Sequence, residues 1–276
     1  MADKVTDQTT TTGIDVTWIV LRTVAGFAAI RLITQAIRFF SGIYSDLISV
    51  TCFTCWIFLC VRGWAKAEGY TLEKCRITRF SLSWKDVCFV VGFLGIRNWL
   101  IALTIEDISV SGLSLADAIT MYLGKILNNG IGSGLNEELV FRGYLLKSLE
   151  DKVGIIKSMI IVSAVFGIAH LLNGGMTPRM MVWIVIGTAS LGAMFAAVTY
   201  YTGSIWRAVI THVCCNLSSI VVGFEEGKSL IYMKLPETVT SETAFCMSYA
   251  LTTVMCLTVS GFYFIKTMRG RKHEAS

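Results

Sequence analysis

The sequence is poor in proline, in histidine and in charge. It holds two prolines and three histidines in 276 residues, and 16% of its residues are charged, against about 25% in an ordinary soluble domain. So little charge excludes an ordinary soluble domain. The sequence has no internal repeat with a clear period, and the zinc-hydrolase pattern HExxH is also missing.

What the chain has instead is apolar sequence, with 54% hydrophobic residues. Several runs approach the roughly 20 apolar residues that cross a bilayer, so the fold class is all-α, a polytopic transmembrane helical bundle of about eight spans. One domain at 16–265 then lies between a disordered N-terminal tail, 1–15, and a basic C-terminal tail, 266–276. We expect the spans at 16–39, 43–61, 87–105, within 118–149, and at 155–172, 180–201, 206–222 and 244–265.

The loop charges predict the orientation of these spans. The loops 62–86, 147–157 and 202–205 and the C-terminal tail would lie on one side of the membrane, and together they carry most of the loop lysine and arginine, whereas the links 106–117 and 223–243 on the other side are net acidic. Positive residues mark the cytoplasmic side, so both termini are expected inside. The net charge of +5 reflects this orientation, so the expected partner is membrane lipid, with no nucleic acid.

Some polar residues inside the spans have simple interpretations. Arg22, Arg31 and Arg97 are expected to extend toward lipid headgroups. Cys52 and Cys55 form a CxxC pattern within a span, with no second pair. They are interpreted as buried membrane cysteines and not as a zinc or redox site.

Two adjacent glutamates and an arginine stand out in this apolar chain. A charge in hydrocarbon is costly, so such a group indicates a functional site. On a helix, Glu138 and Arg142 are four residues apart and can pair. Glu137 points about 100° away and is left to act on something else. The preceding stretch Asn128–Gly134 is rich in glycine and asparagine, which predicts a break in the helix.

Two histidines lie in later spans. A turn near 152–154 would place Glu137 and His170 at the same depth, each about 25 Å from the turn at 1.5 Å per residue. His212 and Asn216 are four residues apart and project together from a helix. However, His170 falls near the outer end of its span and His212 near the inner end. The two histidines meet only if the helices tilt or the intervening span is short.

Several chemistries remain open for these side chains. A carboxylate and an imidazole together can activate water, and a histidine–asparagine pair can stabilise an oxyanion. This predicts attack of water on a carbonyl without a serine or cysteine nucleophile. The alternatives are a structural ion pair with packing histidines, a zinc site made of the glutamates and histidines, and the proton relay of a transporter.

Three motifs in order carry a family resemblance: Glu-Glu-x-x-x-Arg (Glu137, Glu138, Arg142), Phe-x-x-x-His (Phe166, His170) and His-x-x-x-Asn (His212, Asn216). Their order resembles that of the CPBP (CAAX protease and bacteriocin-processing, Abi) intramembrane glutamic endopeptidases, over about 115–222. The resemblance implies that Glu138 and Arg142 hold the site's geometry and that Phe166 packs beside it.

The resemblance also implies roles for the remaining motif residues. Glu137 with His170 would activate water, and His212 with Asn216 would form the oxyanion hole. No cofactor and no metal is implied, and the substrate would be a membrane-associated peptide or protein terminus.

The motif context is typical of bacterial members, which predicts a multi-pass protein of the plasma membrane. In bacteria, bacteriocin leaders or signalling peptides are expected as substrates in preference to prenylated CAAX proteins. The alternative function is a non-proteolytic membrane immunity or scaffold protein.

Overall fold

The structure, a computed structural model, describes residues 2–40, 45–110, 112, 114–173, 175–224 and 229–274. Five parts of the predicted organisation include residues outside these: residue 1 of the N-terminal tail, residues 43–44 of the second span, residues 111 and 113 of the link 106–117, residues 225–228 of the link 223–243, and residues 275–276 of the basic tail. In the described residues, four helical stretches are long and apolar enough to cross a membrane: Asp15–Ile37, Asp46–Ala67, Pro178–Thr202 and Ser241–Arg269. Ile155–Ala169 is a shorter apolar helix.

The elements are predominantly helical, which agrees with the predicted all-α class. The helices are α1 (Ala2–Phe40), α2 (Ser45–Ala67), α3 (Trp84–Ala102), α4 (Leu115–Lys125), α5 (Gly134–Glu138), α6 (Leu146–Val153), α7 (Ile155–Ala169), α8 (Pro178–Thr202), α9 (Trp206–Val221) and α10 (Ser241–Glu274). Long apolar runs with few prolines favour this outcome, because helices satisfy every backbone polar group internally.

The first and last helices extend further than expected. α1 begins at Ala2 and so includes most of the stretch predicted as a disordered tail. α10 likewise continues through much of the basic tail. Once a helix has formed, each added residue gains a hydrogen bond without a new nucleation cost, which gives a physical reason for both extensions.

The predicted break at Asn128–Gly134 is replaced by a widened helix. A π-helical segment, Ile126–Ser133, joins α4 to α5, and a second, Leu139–Leu145, joins α5 to α6. Asn136 donates from Nδ2 to the carbonyl of Gly132, at 2.6 Å, and to Thr54 Oγ1 on α2, at 3.1 Å. The prediction of a break was therefore wrong: the helix is irregular here but continuous, because π-turns keep the chain helical. Such turns are frequent at functional sites.

A tight turn at Gly154 sends α7 back along α6, as the spacing predicts. Gly154 has φ +80°, a conformation that glycine adopts without steric cost. Phe166 on α7 packs its ring 5.2 Å from that of Phe141 in the second π-helical segment. One turn further from Gly154 on each side lie Glu137 and His170, which the antiparallel arrangement puts at the same level.

The structure also contains a small sheet that the sequence analysis does not predict. β1 (Asp107–Val110) pairs antiparallel with β3 (Ile231–Lys234), and β3 pairs parallel with β2 (Val222–Gly223). The two acidic links 106–117 and 223–243 therefore meet on one side of the helices.

Candidate active site

The ion pair of Glu138 and Arg142 is fully buried at the centre of the site. Nη1 of Arg142 lies 3.0 Å from Oε1 of Glu138, and both side chains are 0% exposed. The guanidinium carbon also lies 4.2 Å from the ring centre of Phe166 and 5.3 Å from that of Phe195. Buried charges require a partner to offset the loss of hydration, and here a carboxylate and two aromatic faces supply it.

Gly192 on α8 makes room for this arginine. A Cβ at Gly192 would lie 3.2 Å from Nη2 of Arg142 and 3.4 Å from Cδ1 of Phe166. Close approach of α8 to the site therefore depends on a residue without a side chain.

His212 on α9 joins the pair from the opposite side. Its Nδ1 lies 2.9 Å from Oε1 of Glu138, and its ring stacks on Phe195 at 5.2 Å and 24°. This contact directs Nε2 toward Glu137, whose Oε2 is 3.9 Å away. Glu137 is nearly buried, and its Oε2 has no hydrogen-bond partner among the described residues.

His170 lies where α7 ends in a turn of 3-10 helix. Its Nδ1 donates to the carbonyl oxygen of Phe166 at 2.8 Å. Because a carbonyl only accepts, Nδ1 carries the hydrogen, and Nε2 of the neutral ring is left as an acceptor. The ring of Phe166 lies 4.8 Å from that of His170 and 5.9 Å from that of His212. The two histidines thus flank one phenylalanine, so the opposite span ends do not keep them apart.

Asn216 lies one turn beyond His212 on α9. Its Nδ2 donates to the carbonyl oxygen of Asn129, in the first π-helical segment, at 2.7 Å. A Cβ added to Gly130 would lie 2.9 Å from Cδ2 of Leu217. Asn216 therefore ties α9 to a π-helical segment, a contact that the motif spacing does not reveal.

Close packing of α5 against α9 brings the glutamates and His212 together. A Cβ at Gly134 would lie 2.7 Å from Cγ2 and 3.0 Å from the backbone nitrogen of Val213. Val213 follows His212 directly, so the position of that imidazole depends on a glycine at 134.

The interpretation of three arginines as lipid-facing needs correction. Arg31 on α1 lies 3.5 Å, Nη1 to Oε1, from Glu137. Arg22 forms an ion pair with Glu68 at 2.6 Å, and Nε of Arg97 donates to Thr252 Oγ1 at 3.3 Å. The signal that could have revealed this is the cost of a guanidinium within a span, which favours an internal partner.

A second, partly buried polar cluster lies apart from the motif residues. Glu68 accepts from Tyr144 and Ser148, each at 2.5 Å, in addition to Arg22. It ties the end of α2 to α6 and the second π-helical segment, and thereby fixes the helix that carries the glutamates.

We next consider whether the described side chains could bind a metal ion. Among the residues that the structure describes, no three His, Cys, Asp or Glu side chains form a group that could hold one. Oε1 of Glu138 already accepts from Arg142 and contacts His212, and a bound cation would be repelled by the buried guanidinium. The chemistry that the arrangement supports directly is proton transfer between Glu137, a histidine and a small polar molecule.

The apolar helices define a membrane protein, and comparison with known families gives its type. Residues 119–218 match the family model described as type II CAAX prenyl endopeptidase Rce1-like. The match confirms the family inferred from the three motifs, and it includes all seven motif residues. At family level it supports a CAAX-type intramembrane protease, a peptide hydrolase acting on a peptide or protein. A comparison with curated proteins found no match.

Proposed function

We propose that this protein is an intramembrane endopeptidase in which Glu137 activates the hydrolytic water. The observation that carries the proposal is the pair Glu137 Oε2 and His212 Nε2. They are 3.9 Å apart, and the carboxylate oxygen is buried without a hydrogen-bond partner among the described residues. One water within hydrogen-bond distance of both atoms would touch the carboxylate that takes its proton.

The reaction follows from the positions of the side chains. Water bound at Glu137 gives its proton to the carboxylate as its oxygen attacks the carbonyl carbon of the scissile peptide bond. The C–N bond then breaks, and Glu137 returns the proton to the leaving nitrogen. His170, whose Nε2 is an acceptor at the level of Glu137, shares the task of orienting the water.

The remaining motif residues hold the site and stabilise the developing charge. Glu138 and Arg142 fix the His212 ring, which faces the reacting carbonyl from α9. Asn216, anchored to the carbonyl oxygen of Asn129, lies on the same side. We assign His212 and Asn216 to the oxyanion hole, where fixed donors act in a low dielectric.

We also propose eight spans with both termini inside. The sheet supports this topology, because it joins the two acidic links expected outside. On the opposite side, the basic loop after α2 contacts the α8–α9 turn: Ile205 N donates to Arg76 O at 3.0 Å. Arg76 also pairs with Glu150 at the end of α6, at 2.7 Å.

The proposed location is a bacterial plasma membrane, with a membrane-associated peptide or protein terminus as substrate. Two probes separate the substrate classes: a farnesylated fluorogenic peptide ending in a CAAX sequence, and a double-glycine bacteriocin leader peptide. The first is suggested by the family description, and the second by the bacterial context of the motifs.

The test uses the purified full chain in proteoliposomes with both probes. We expect Glu137→Gln to lower kcat by about 10²–10⁴-fold, the usual contribution of a general base, and His170→Ala to lower it strongly as well. Glu73→Gln, which changes an exposed carboxylate in a loop, is the matched control and should keep full activity. Cleavage of neither probe by the wild-type protein, or full activity of folded Glu137→Gln, would contradict the proposal.

A non-proteolytic immunity or scaffold role predicts a different outcome. In a host that shows an immunity phenotype, Glu137→Gln would then complement as well as the wild-type gene. Loss of the phenotype in that variant, with equal protein in the membrane, supports proteolysis.

A further inference from the structure

α1 places a guanidinium beside the proposed general base. Nη1 of Arg31 lies 3.5 Å from Oε1 of Glu137, while the other carboxylate oxygen, Oε2, faces His212. The two oxygens therefore have different neighbours, a cation for one and an imidazole for the other. Arg31 lies far outside residues 119–218, the segment that the family model matches.

Aromatic packing fixes the face of α1 that carries Arg31. The ring of Phe27, one turn earlier, lies 5.6 Å from Phe53 on α2 and 6.0 Å from Phe141 in the second π-helical segment. Residues four apart share a helix face, so this contact turns Arg31 toward the glutamates. Ile30, beside it, is buried.

The charges of the site explain why an arginine is useful there. Glu137 and Glu138 are adjacent carboxylates, and the nearest contact of Arg142 is with Glu138 alone. In a low-dielectric interior an uncompensated carboxylate is costly. Arg31 supplies the second cation, and its side chain remains 41% exposed.

We infer that Arg31 is a positioning residue for the proposed hydrolysis: it holds Oε1 of Glu137 so that Oε2 is presented to the water. This inference rests on the proposed function. It means that the working site extends onto α1, so the segment 119–218 alone lacks part of it. A misplacement of the base by about 1 Å costs up to about 10²-fold in rate.

The experiment compares Arg31→Ala, Arg31→Lys and the control Arg62→Ala in the same proteoliposomes with the same two peptides. Arg62 is matched because it is also an arginine on a long apolar helix, α2, and it is exposed and lies outside the proposed site. We expect Arg31→Ala to lose about 10- to 100-fold in kcat with KM little changed. Arg31→Lys should keep part of the rate, because lysine keeps the positive charge but lacks the planar set of N–H donors of the guanidinium.

Chemical rescue distinguishes positioning from a structural role. Added guanidinium ion should restore kcat of Arg31→Ala and should leave the rates of Glu137→Gln and Arg62→Ala unchanged. If folded Arg31→Ala keeps the wild-type kcat, the inference is wrong. It is also wrong if neither guanidinium nor lysine recovers activity, or if the loss follows the amount of folded protein. Should Arg31→Ala fail to fold, the loss of kcat in Arg31→Gln and its recovery in Arg31→Lys provide the comparison.

The two proposals fail in different ways. An active Glu137→Gln variant overturns the proposed function itself. A fully active Arg31→Ala variant beside an inactive Glu137→Gln variant overturns only the role of Arg31.

Discussion

Nδ1 of His212 and Nη1 of Arg142 approach the same oxygen, Oε1 of Glu138, at 2.9 and 3.0 Å. One carboxylate on α5 thus fixes a side chain from α9 and another from the second π-helical segment. Because three elements share this oxygen, the orientation of the His212 ring depends on Glu138 although Glu138 does not face the proposed water. The two adjacent glutamates therefore have separate tasks.

This separation predicts opposite phenotypes for the two glutamine substitutions. Glu138→Gln removes the carboxylate that contacts the buried Arg142, and breaking a buried pair typically costs about 3–5 kcal/mol. Glu137→Gln removes the base but keeps that pair, so it should fold nearly as well as the wild-type protein. Thermal unfolding of the purified variants, followed by size-exclusion fluorescence, measures the difference. Equal unfolding temperatures for both variants would show that Glu138 is not the structural member.

The contact between α5 and α9 gives a second prediction. Gly134→Ala places a methyl group 3.0 Å from the backbone nitrogen of Val213, and backbone cannot rotate away as a side chain can. α9 must shift, and His212 shifts with it. We expect a loss of kcat on the order of 10-fold or more, from misplacement of the site. Gly92→Ala on α3 is the control, because nothing lies within 4 Å of its Cβ; equal kcat in both variants would contradict the prediction.

Much of the fold is predictable because membrane spans have a simple physical signature. A run of about 20 apolar residues is a local property, and the predicted spans at 87–105, 180–201, 206–222 and 244–265 overlap α3, α8, α9 and α10 closely. The small sheet has no such signature. Asp107 and Lys234 face each other across it, but they are far apart in the chain and neither strand is long or strongly alternating.

The residues of the site also fall into those with a local sequence signal and those without one. Glu137, His170 and His212 are recognisable because each belongs to a short motif, and helical spacing places Glu137 and His170 at one level. Arg31 belongs to no motif, and its contact with Glu137 depends on how α1 packs against α2 and the second π-helical segment. The bond from Asn216 to Asn129 depends on a π-helical segment, whose altered backbone positions a 3.6-residue period does not describe.

The buried loop cysteine gives a prediction about pH. Cys75 lies in the loop between α2 and α3 and is fully buried, and burial raises the pKa of its thiol to about 11, against the lowering effects of Arg76 and Lys147. Below pH 9 the thiol is neutral whether the chain is folded or unfolded, so the contribution of its burial to stability is fully present there and does not change with pH. As pH rises from 9 through 11, the unfolded chain ionises first, so the contribution of Cys75 to stability is lost.

Maleimide labelling checks this prediction, because maleimide reacts with the thiolate. At pH 8 in detergent, Cys75 should stay unlabelled while the exposed Cys88 reacts; mass spectrometry of the peptides separates the two sites. Labelling of Cys75 as fast as Cys88 in the folded protein would contradict its burial. Cys75→Ser should reduce the loss of stability between pH 9 and 11.

The proposed topology can be tested from both sides of the membrane. In a cysteine-free background, Ile108→Cys reports on β1, where Ile108 is exposed, and Ser81→Cys reports on the loop before α3, where Ser81 is exposed. With both termini inside and α3 crossing the bilayer, a membrane-impermeant maleimide added to intact cells should label the first variant. It should label the second only after permeabilisation, because one crossing separates the two positions.

Labelling of both variants in intact cells would mean that α3 does not cross. The reverse pattern would mean that the termini lie outside, in which case the basic loops would face the wrong side and the charge argument would fail.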